Sequence, residues 1–184
     1  MNQLPANGQT ELQTPTEPPA ILRLAFRPFF LLGSLFSIIS LSLWAGTMVG
    51  AITHEMYGGA LWWHMHEMLF GFVSAIVVGF LLTAVQTWTG IPGLKGNSLL
   101  ALVLLWLSGR LLLLFPAAVP QWLIVFADIS FLPVAAMIFA SYIIKTSQWR
   151  NFFFIPMLLA LASGNGVMHW AAYINAPDLT SAAA

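Results

Sequence analysis

The chain has no cysteine and very little charge. Without cysteine it cannot form disulfides, bind a metal through thiolates or attach haem covalently through a CxxCH motif. Only 7% of its 184 residues are charged, whereas soluble domains average about 25%. Because 59% of the residues are hydrophobic and the formal net charge is zero, the composition predicts an integral membrane protein and no nucleic-acid partner.

Catalytic motifs are also missing. The sequence has no HExxH and no glycine-rich phosphate loop, and the HMHE at 64–67 has a different spacing. Any metal or haem would be held by histidine, methionine, carboxylate or backbone groups. The inventory therefore favours a metal-binding or haem-binding membrane protein over an enzyme with a known motif.

Long apolar runs organise the chain beyond its N-terminal tail. We predict an all-α, polytopic transmembrane helix bundle of about five spans, because backbone hydrogen bonds cannot stay open in lipid. The transmembrane domain covers 21–184, with spans at about 29–51, 68–86, 98–115, 121–144 and 152–173. Residues 1–20 are polar and proline-rich, and we predict that they form a disordered cytoplasmic tail.

The basic residues outside the spans predict the orientation of the bundle. They all fall on one side of the predicted topology: Arg23, Arg27, Lys95, Lys145 and Arg150. The connections on the other side, 52–67 and 116–120, contain neither lysine nor arginine. This pattern predicts a cytoplasmic N-terminus and places His64, His66 and Glu67 at the outer surface.

The polar residues inside the spans converge on one level. At about 1.5 Å of rise per residue, Arg110, Asp128 and His169 all fall in the outer half of the membrane. Leaving Arg110 or Asp128 alone in hydrocarbon would cost several kcal/mol. We therefore interpret them as a buried ion pair between adjacent helices, with a relay as the less favoured alternative.

A row of small residues crosses the second span. Gly71, Ala75 and Gly79 recur at every fourth position, which is the spacing that lets membrane helices pack closely. Glu67 falls on the same row, one turn earlier. The row predicts that a carboxylate lies at the edge of a helix–helix contact.

The histidines are candidate ligands. His64 and His66 lie about 200° apart around a helix, so both can bind one ion only if the segment before Met68 is irregular. We predict that the outer ends of the second and fifth spans meet, bringing His64 or His66 near His169. Glu67 would then hold the far ring nitrogen of a ligating histidine in the required tautomer. The alternative is that the histidines belong to an interfacial aromatic belt.

Several motifs in the sequence resemble the NnrS family, the most specific being WHMHEMLFGF at 63–72. The others are FRPFFLLGSLF at 26–36, GFLLTAV at 79–85, WTG at 88–90 and WLSGR at 106–110. Gln86 and Thr87 depart from the Pro and Asn that the family usually has there. The resemblance covers nearly everything after the tail and corresponds to the N-terminal half of the family.

NnrS proteins are bacterial inner-membrane proteins of the nitric oxide response that contain haem and copper. The resemblance therefore implies a multi-pass inner-membrane protein that binds haem or copper and acts against nitrosative stress. It implies metal or haem ligation by His64, His66 and His169, with Glu67 at the same site. The partners it implies are the lipid bilayer, nitric oxide or a metal nitrosyl species, and the family's C-terminal half or a second copy of the chain in a homo-oligomer.

Two functions of other classes stay open at this point. One is a transporter or channel-like fragment that uses the histidines, Arg110 and Asp128 as a relay. The other is a haem redox enzyme that acts on nitric oxide. A visible absorption spectrum distinguishes the transporter or channel-like fragment from the haem-binding alternatives. Catalytic turnover of nitric oxide identifies the redox enzyme.

Overall fold

The computed structural model describes residues 17–174, so the predictions for residues 1–16 and 175–184 lie outside its described part. It contains five long helices, which are α1 (Phe26–Met48), α2 (Ala60–Thr89), α3 (Gly96–Leu114), α4 (Gln121–Thr146) and α5 (Phe154–Ile174). Residues 17–174 contain no β-strand. Five helices are long and apolar enough to cross a membrane, the fifth counted from Trp149. The prediction of an all-α bundle with five spans is confirmed, and the chain is a multi-pass membrane protein.

The start of α2 differs from the hydropathy prediction. The helix begins at Ala60 rather than near 68, directly after Gly58 and Gly59. These two glycines have φ of 71° and 84°, a region that other residues rarely adopt. They turn the chain, and the residues that follow are helical. His64, His66 and Glu67 therefore belong to the helix itself and not to an irregular segment before it.

The small residues of α2 lie against α1. A Cβ on Gly79 would come within 2.7 Å of Phe29 Cβ, and a Cβ on Gly33 of α1 would lie 3.4 Å from Ala75 Cβ. Thr83, one turn beyond Gly79, accepts a hydrogen bond of 2.9 Å from the backbone N–H of Phe26. The absence of bulk along this row lets the two backbones approach closely. α2 also packs against α4, and α4 is flanked by α3 and α5.

The bundle has an apolar exterior and a polar centre. Large apolar side chains face outward on every side, among them Ile38, Phe126 and Val167, which are 64%, 66% and 66% exposed. In contrast, Glu67 and Asp128 are 0% and 3% exposed. This arrangement suits a protein whose surroundings are hydrocarbon, because lipid accepts the apolar surface and excludes the charges.

Candidate metal centre

A cluster of buried polar side chains occupies the middle of the bundle. It draws on α2, α3, α4 and α5, and every member is at most 3% exposed. We call it the polar cluster: His66, Glu67, Arg110, Asp128, Asn165 and His169. Six such groups in hydrocarbon are stable only when they satisfy one another, so their contacts define what the site can bind.

Arg110 joins two carboxylates of the polar cluster. Its Nη1 donates to Glu67 Oε2 at 2.7 Å, and its Nη2 donates to Asp128 Oδ1. The structure thus brings together the two residues that the sequence pairs by depth. It also corrects the position of Glu67, which lies inside the bundle as a second partner of Arg110 rather than at the outer surface. The correction follows from the earlier start of α2, which carries Glu67 inward.

A change of helix type places Glu67 at the cluster. α2 is α-helical to His66, π-helical over Glu67–Val73 and α-helical again from Ser74. π-turns of this kind free backbone carbonyls and occur frequently at functional sites. Here the indole N–H of Trp106 donates to the carbonyl of Gly71 at 2.9 Å. The π-segment is therefore fixed to α3 at the level of Arg110.

Glycine makes room for the ion pairs. A Cβ on Gly71 would lie 2.5 Å from Glu67 Oε2 and 2.7 Å from Arg110 Nη1. A Cβ on Gly109 would lie 3.1 Å from Asp128 Oδ1. The side chains of Arg110 and its two partners pass directly over these backbone positions, so neither position has space for a larger residue.

The second carboxylate oxygen of Asp128, Oδ2, lies beside the Nε2 atoms of two histidines, and these three atoms are candidate metal ligands. His169 Nε2 lies 2.9 Å and His66 Nε2 3.1 Å from Asp128 Oδ2. The ligand atoms of these three residues all lie within 4.8 Å of one another. Asn165 completes the group, because its Nδ2 donates to Asp128 Oδ2 at 2.8 Å and its Oδ1 lies 2.8 Å from His66 Nε2.

The Nδ1 atoms of both imidazoles also have oxygen partners. His66 Nδ1 lies 3.4 Å from Glu67 Oε1, and His169 Nδ1 lies 3.4 Å from the hydroxyl of Tyr57. Histidines that bind a metal through Nε2 characteristically donate Nδ1–H to an oxygen, which fixes ring and tautomer. Both rings therefore have the orientation of ligands that point Nε2 towards a common ion.

The structure separates His64 from this group. Its ring stacks on Trp44 of α1, with ring centroids 4.3 Å apart and an interplanar angle of 15°. Because α2 is helical through both residues, His64 and His66 face different sides of the helix. His66 and His169 are brought together as the sequence predicts, whereas His64 is not part of their cluster.

Sequence reasoning missed Tyr57 and Trp62, which cover the cluster. Trp62 stacks on His66 at 4.7 Å between ring centroids, and its indole N–H donates to the Met168 carbonyl of α5 at 3.2 Å. The i, i+4 spacing of Trp62 and His66 was the available indication. Nothing in the sequence pointed to Tyr57, because it lies in the loop before α2.

Tyr57 is held as a neutral phenol. Its hydroxyl accepts a hydrogen bond of 3.1 Å from Gln121 Nε2. Burial raises the pKa of Tyr57 above its usual value, and the bond from Gln121 offsets only part of that shift. A neutral hydroxyl remains available to the Nδ1 of His169.

Comparison with known proteins gives one family. No curated protein and no solved structure matches the chain. Residues 20–184 match the family described as NnrS protein, which is nearly the whole chain beyond its tail and includes every residue of the polar cluster. The chain therefore belongs to the NnrS family.

Proposed function

We propose that this protein binds a copper ion through His66, Asp128 and His169 and acts in the response to nitric oxide and nitrosative stress. The observation that carries the proposal is the convergence of two imidazole Nε2 atoms and one carboxylate oxygen within 4.8 Å. Imidazole nitrogens suit copper, zinc, iron and nickel. The choice of copper and of nitric oxide rests on the resemblance to NnrS proteins. A copper ion held by these residues would be able to bind a small ligand such as nitric oxide.

The charge of the cluster supports a cation at this place. Glu67 and Asp128 carry two negative charges, and Arg110 contributes one positive charge. The carboxylates and the guanidinium of the cluster therefore leave one negative formal charge over, and an unpaired charge is costly in hydrocarbon. A cation bound beside Asp128 removes that cost. Arg110 meanwhile holds the carboxylate so that Oδ2 faces the two imidazoles.

Haem, the other cofactor implied by the resemblance, does not fit the polar cluster. A haem iron needs an imidazole nitrogen that opens onto an apolar space for the porphyrin. The ring of His66 is fully buried, is covered by Trp62 and Phe70, and directs its nitrogens to Glu67 and Asn165. His169 directs its nitrogens to Asp128 and Tyr57. The donor atoms suit a compact ion.

The proposed location is a bacterial inner membrane, with the N-terminus in the cytoplasm. The support is the distribution of basic residues, since the two connections near the polar cluster, 52–59 and 115–120, contain no lysine or arginine. The polar cluster then lies in the outer half of the membrane.

Copper titration of purified variants tests the site. His66→Ala and His169→Ala each remove a ligand, so we expect loss of the wild-type copper(II) stoichiometry, measured by elemental analysis after desalting. Loss of a group that only supports a metal ligand lowers metal affinity by about 10–100-fold. Because Asp128 is itself a proposed ligand, we expect Asp128→Asn to lower the copper affinity by at least that factor. Circular dichroism and gel filtration verify that the variants fold.

His64→Ala and His54→Ala are the matched controls. His64 stacks on Trp44, and the His54 ring contacts Phe115 in the loop region, so both variants should keep full copper content. Loss of copper in His64→Ala with retention in His66→Ala and His169→Ala would refute the assignment.

One observation favours a second candidate function. Hydrogen bonds and ion pairs run without a break from Gln121 through Tyr57 and His169 to Asp128, and on through Arg110. Such a chain suits the transporter or channel-like alternative, in which the same residues relay protons. Proton flux into proteoliposomes that does not depend on copper would favour this alternative over a resident metal.

A further inference from the structure

An apolar groove leads from the lipid-facing surface to the polar cluster. It lies between α4 and α5, has a volume of about 850 Å³, and is walled by residues such as Phe126, Ile129, Pro133 and Gly166. Its size is within the range of small-molecule sites, about 300–1,000 Å³. Phe126 and Trp170 at its edges are 66% and 64% exposed, so the groove opens where α4 and α5 meet the membrane.

The groove and the polar cluster share one residue. His169 lines the groove, and its Nε2 lies 2.9 Å from Asp128 Oδ2 on the inner side. The ring of His169 is therefore the partition between the hydrocarbon and the ligand atoms. His169 is 3% exposed, so a molecule with a bulky head group cannot reach Asp128 without separating the two helices.

Access to the polar cluster from the loop side is restricted. From the loop side the cluster is covered by Tyr57, by Trp62 stacked on His66, and by the hydrogen bond of Trp62 to Met168. The remaining walls are buried helix contacts, including Phe70 and Trp106 at 4% and 1% exposure. Water and anions are poorly soluble in the hydrocarbon that meets the groove.

We infer that the groove between α4 and α5 is the entry route by which a small, uncharged, lipid-soluble molecule reaches the polar cluster from within the membrane. The inference deepens the proposed function and rests on it for the identity of the reactant, since nitric oxide belongs to this chemical class. The groove admits solutes that are soluble in the apolar part of the membrane. Of these, only the smallest can move past the His169 ring to the ligand atoms.

Dioxygen is a suitable probe, because it is a small apolar paramagnetic molecule and requires no metal in the protein. Protein labelled with ¹³C at the histidine rings is placed in lipid nanodiscs, and the relaxation of each ring is measured under dioxygen. A water-soluble nickel chelate provides the opposite probe. We expect dioxygen to relax His169 several-fold more strongly than the chelate does, and His54 in the loop to respond to the chelate.

Filling the groove provides the decisive comparison. A Cβ on Gly166 would have only Ile129 Cδ1, at 3.9 Å, as a close neighbour, so Gly166→Leu should fold and occupy the groove. Val167→Leu on the exposed face of the same helix is the matched control. Gly166→Leu should lower the dioxygen effect at His169 several-fold, and Val167→Leu should leave it unchanged.

Equal dioxygen effects in the two variants, or stronger relaxation of His169 by the chelate than by dioxygen, would overturn the entry route. The copper titration fails or succeeds independently of this measurement. A groove that conducts dioxygen in a protein without copper affinity would uphold the route and reject the proposed metal.

Discussion

At the scale of the residue, Gly71 decides whether the ion pairs can form. Arg110 reaches Glu67 by passing over the backbone of position 71, and the space for that contact exists only because no side chain occupies it. The hydropathy of the second span does not show this requirement, since alanine is as compatible with a membrane helix as glycine.

We predict that Gly71→Ala destabilises the protein by about 1–3 kcal/mol, the usual cost of overpacking. The added Cβ would lie 2.5 Å from Glu67 Oε2, so either the carboxylate or Arg110 must move. Unfolding in mixed detergent micelles measures the change. Gly164→Ala is the control, because its Cβ would meet only Phe70 Cζ at an ordinary 3.7 Å; equal stabilities of the two variants would contradict the argument.

Some residue contacts could be predicted from the sequence and others could not. Depth alone paired Arg110 with Asp128, because topology and the rise per residue determine the level of each side chain. Depth does not determine rotation about the helix axis. For that reason the sequence did not exclude His64 from the site, and it did not identify the oxygen of Asp128 as a ligand atom beside His66 and His169.

At the scale of the element, the π-segment of α2 determines which way the side chains N-terminal to it face. A π-turn contains more residues than an α-turn, so residues N-terminal to Glu67 are rotated relative to a regular helix. His66 faces Asp128 of α4 and Asn165 of α5, while the small-residue row at Ala75 and Gly79 faces α1. The sequence predicted that α2 exists, but periodicity does not reveal a π-segment inside an apolar run.

Trp106→Phe tests what holds the π-segment. It removes the buried N–H that donates to the Gly71 carbonyl, and the loss of one such hydrogen bond costs about 0.5–1.5 kcal/mol. Trp63→Phe is the control: Trp63 is equally buried, and its indole N–H has no hydrogen-bond partner among the described residues. Detergent unfolding should show a larger loss for Trp106→Phe, and a smaller or equal loss would show that the bond does not stabilise the segment.

At the scale of the whole molecule, the loops at one end of the bundle contain all the lysine and arginine residues that lie outside the spans. The loops at the other end contain no lysine or arginine. If the N-terminus is cytoplasmic, an enzyme reporter active only in the periplasm should give activity when fused after Thr53 and no activity when fused after Asn97. The reverse pattern would place the polar cluster in the inner half of the membrane. Expression of both fusions is verified by immunoblot.

The fold was largely predictable at this scale, since five apolar runs in a chain with 7% charged residues leave few alternatives to a helix bundle. The order in which the helices pack was not predictable. It depends on which small residues meet which partner, and several glycines are available on α2 and α5. Only the structure shows that α4 lies between α3 and α5 and thereby brings Asp128 to both Arg110 and His169.

The polar cluster also constrains the biosynthesis of the protein. Each of α2, α3 and α4 carries a charge, and a charged residue at the centre of a single inserted helix costs about 2.5–3.5 kcal/mol on translocon scales. Released separately into lipid, Glu67, Arg110 and Asp128 would each incur that cost, whereas in the bundle Arg110 pairs with both carboxylates and only one negative charge is left over. Insertion of the three helices is therefore most favourable when they leave the translocon together. The ion pairs of the mature bundle must then form during insertion and not after it.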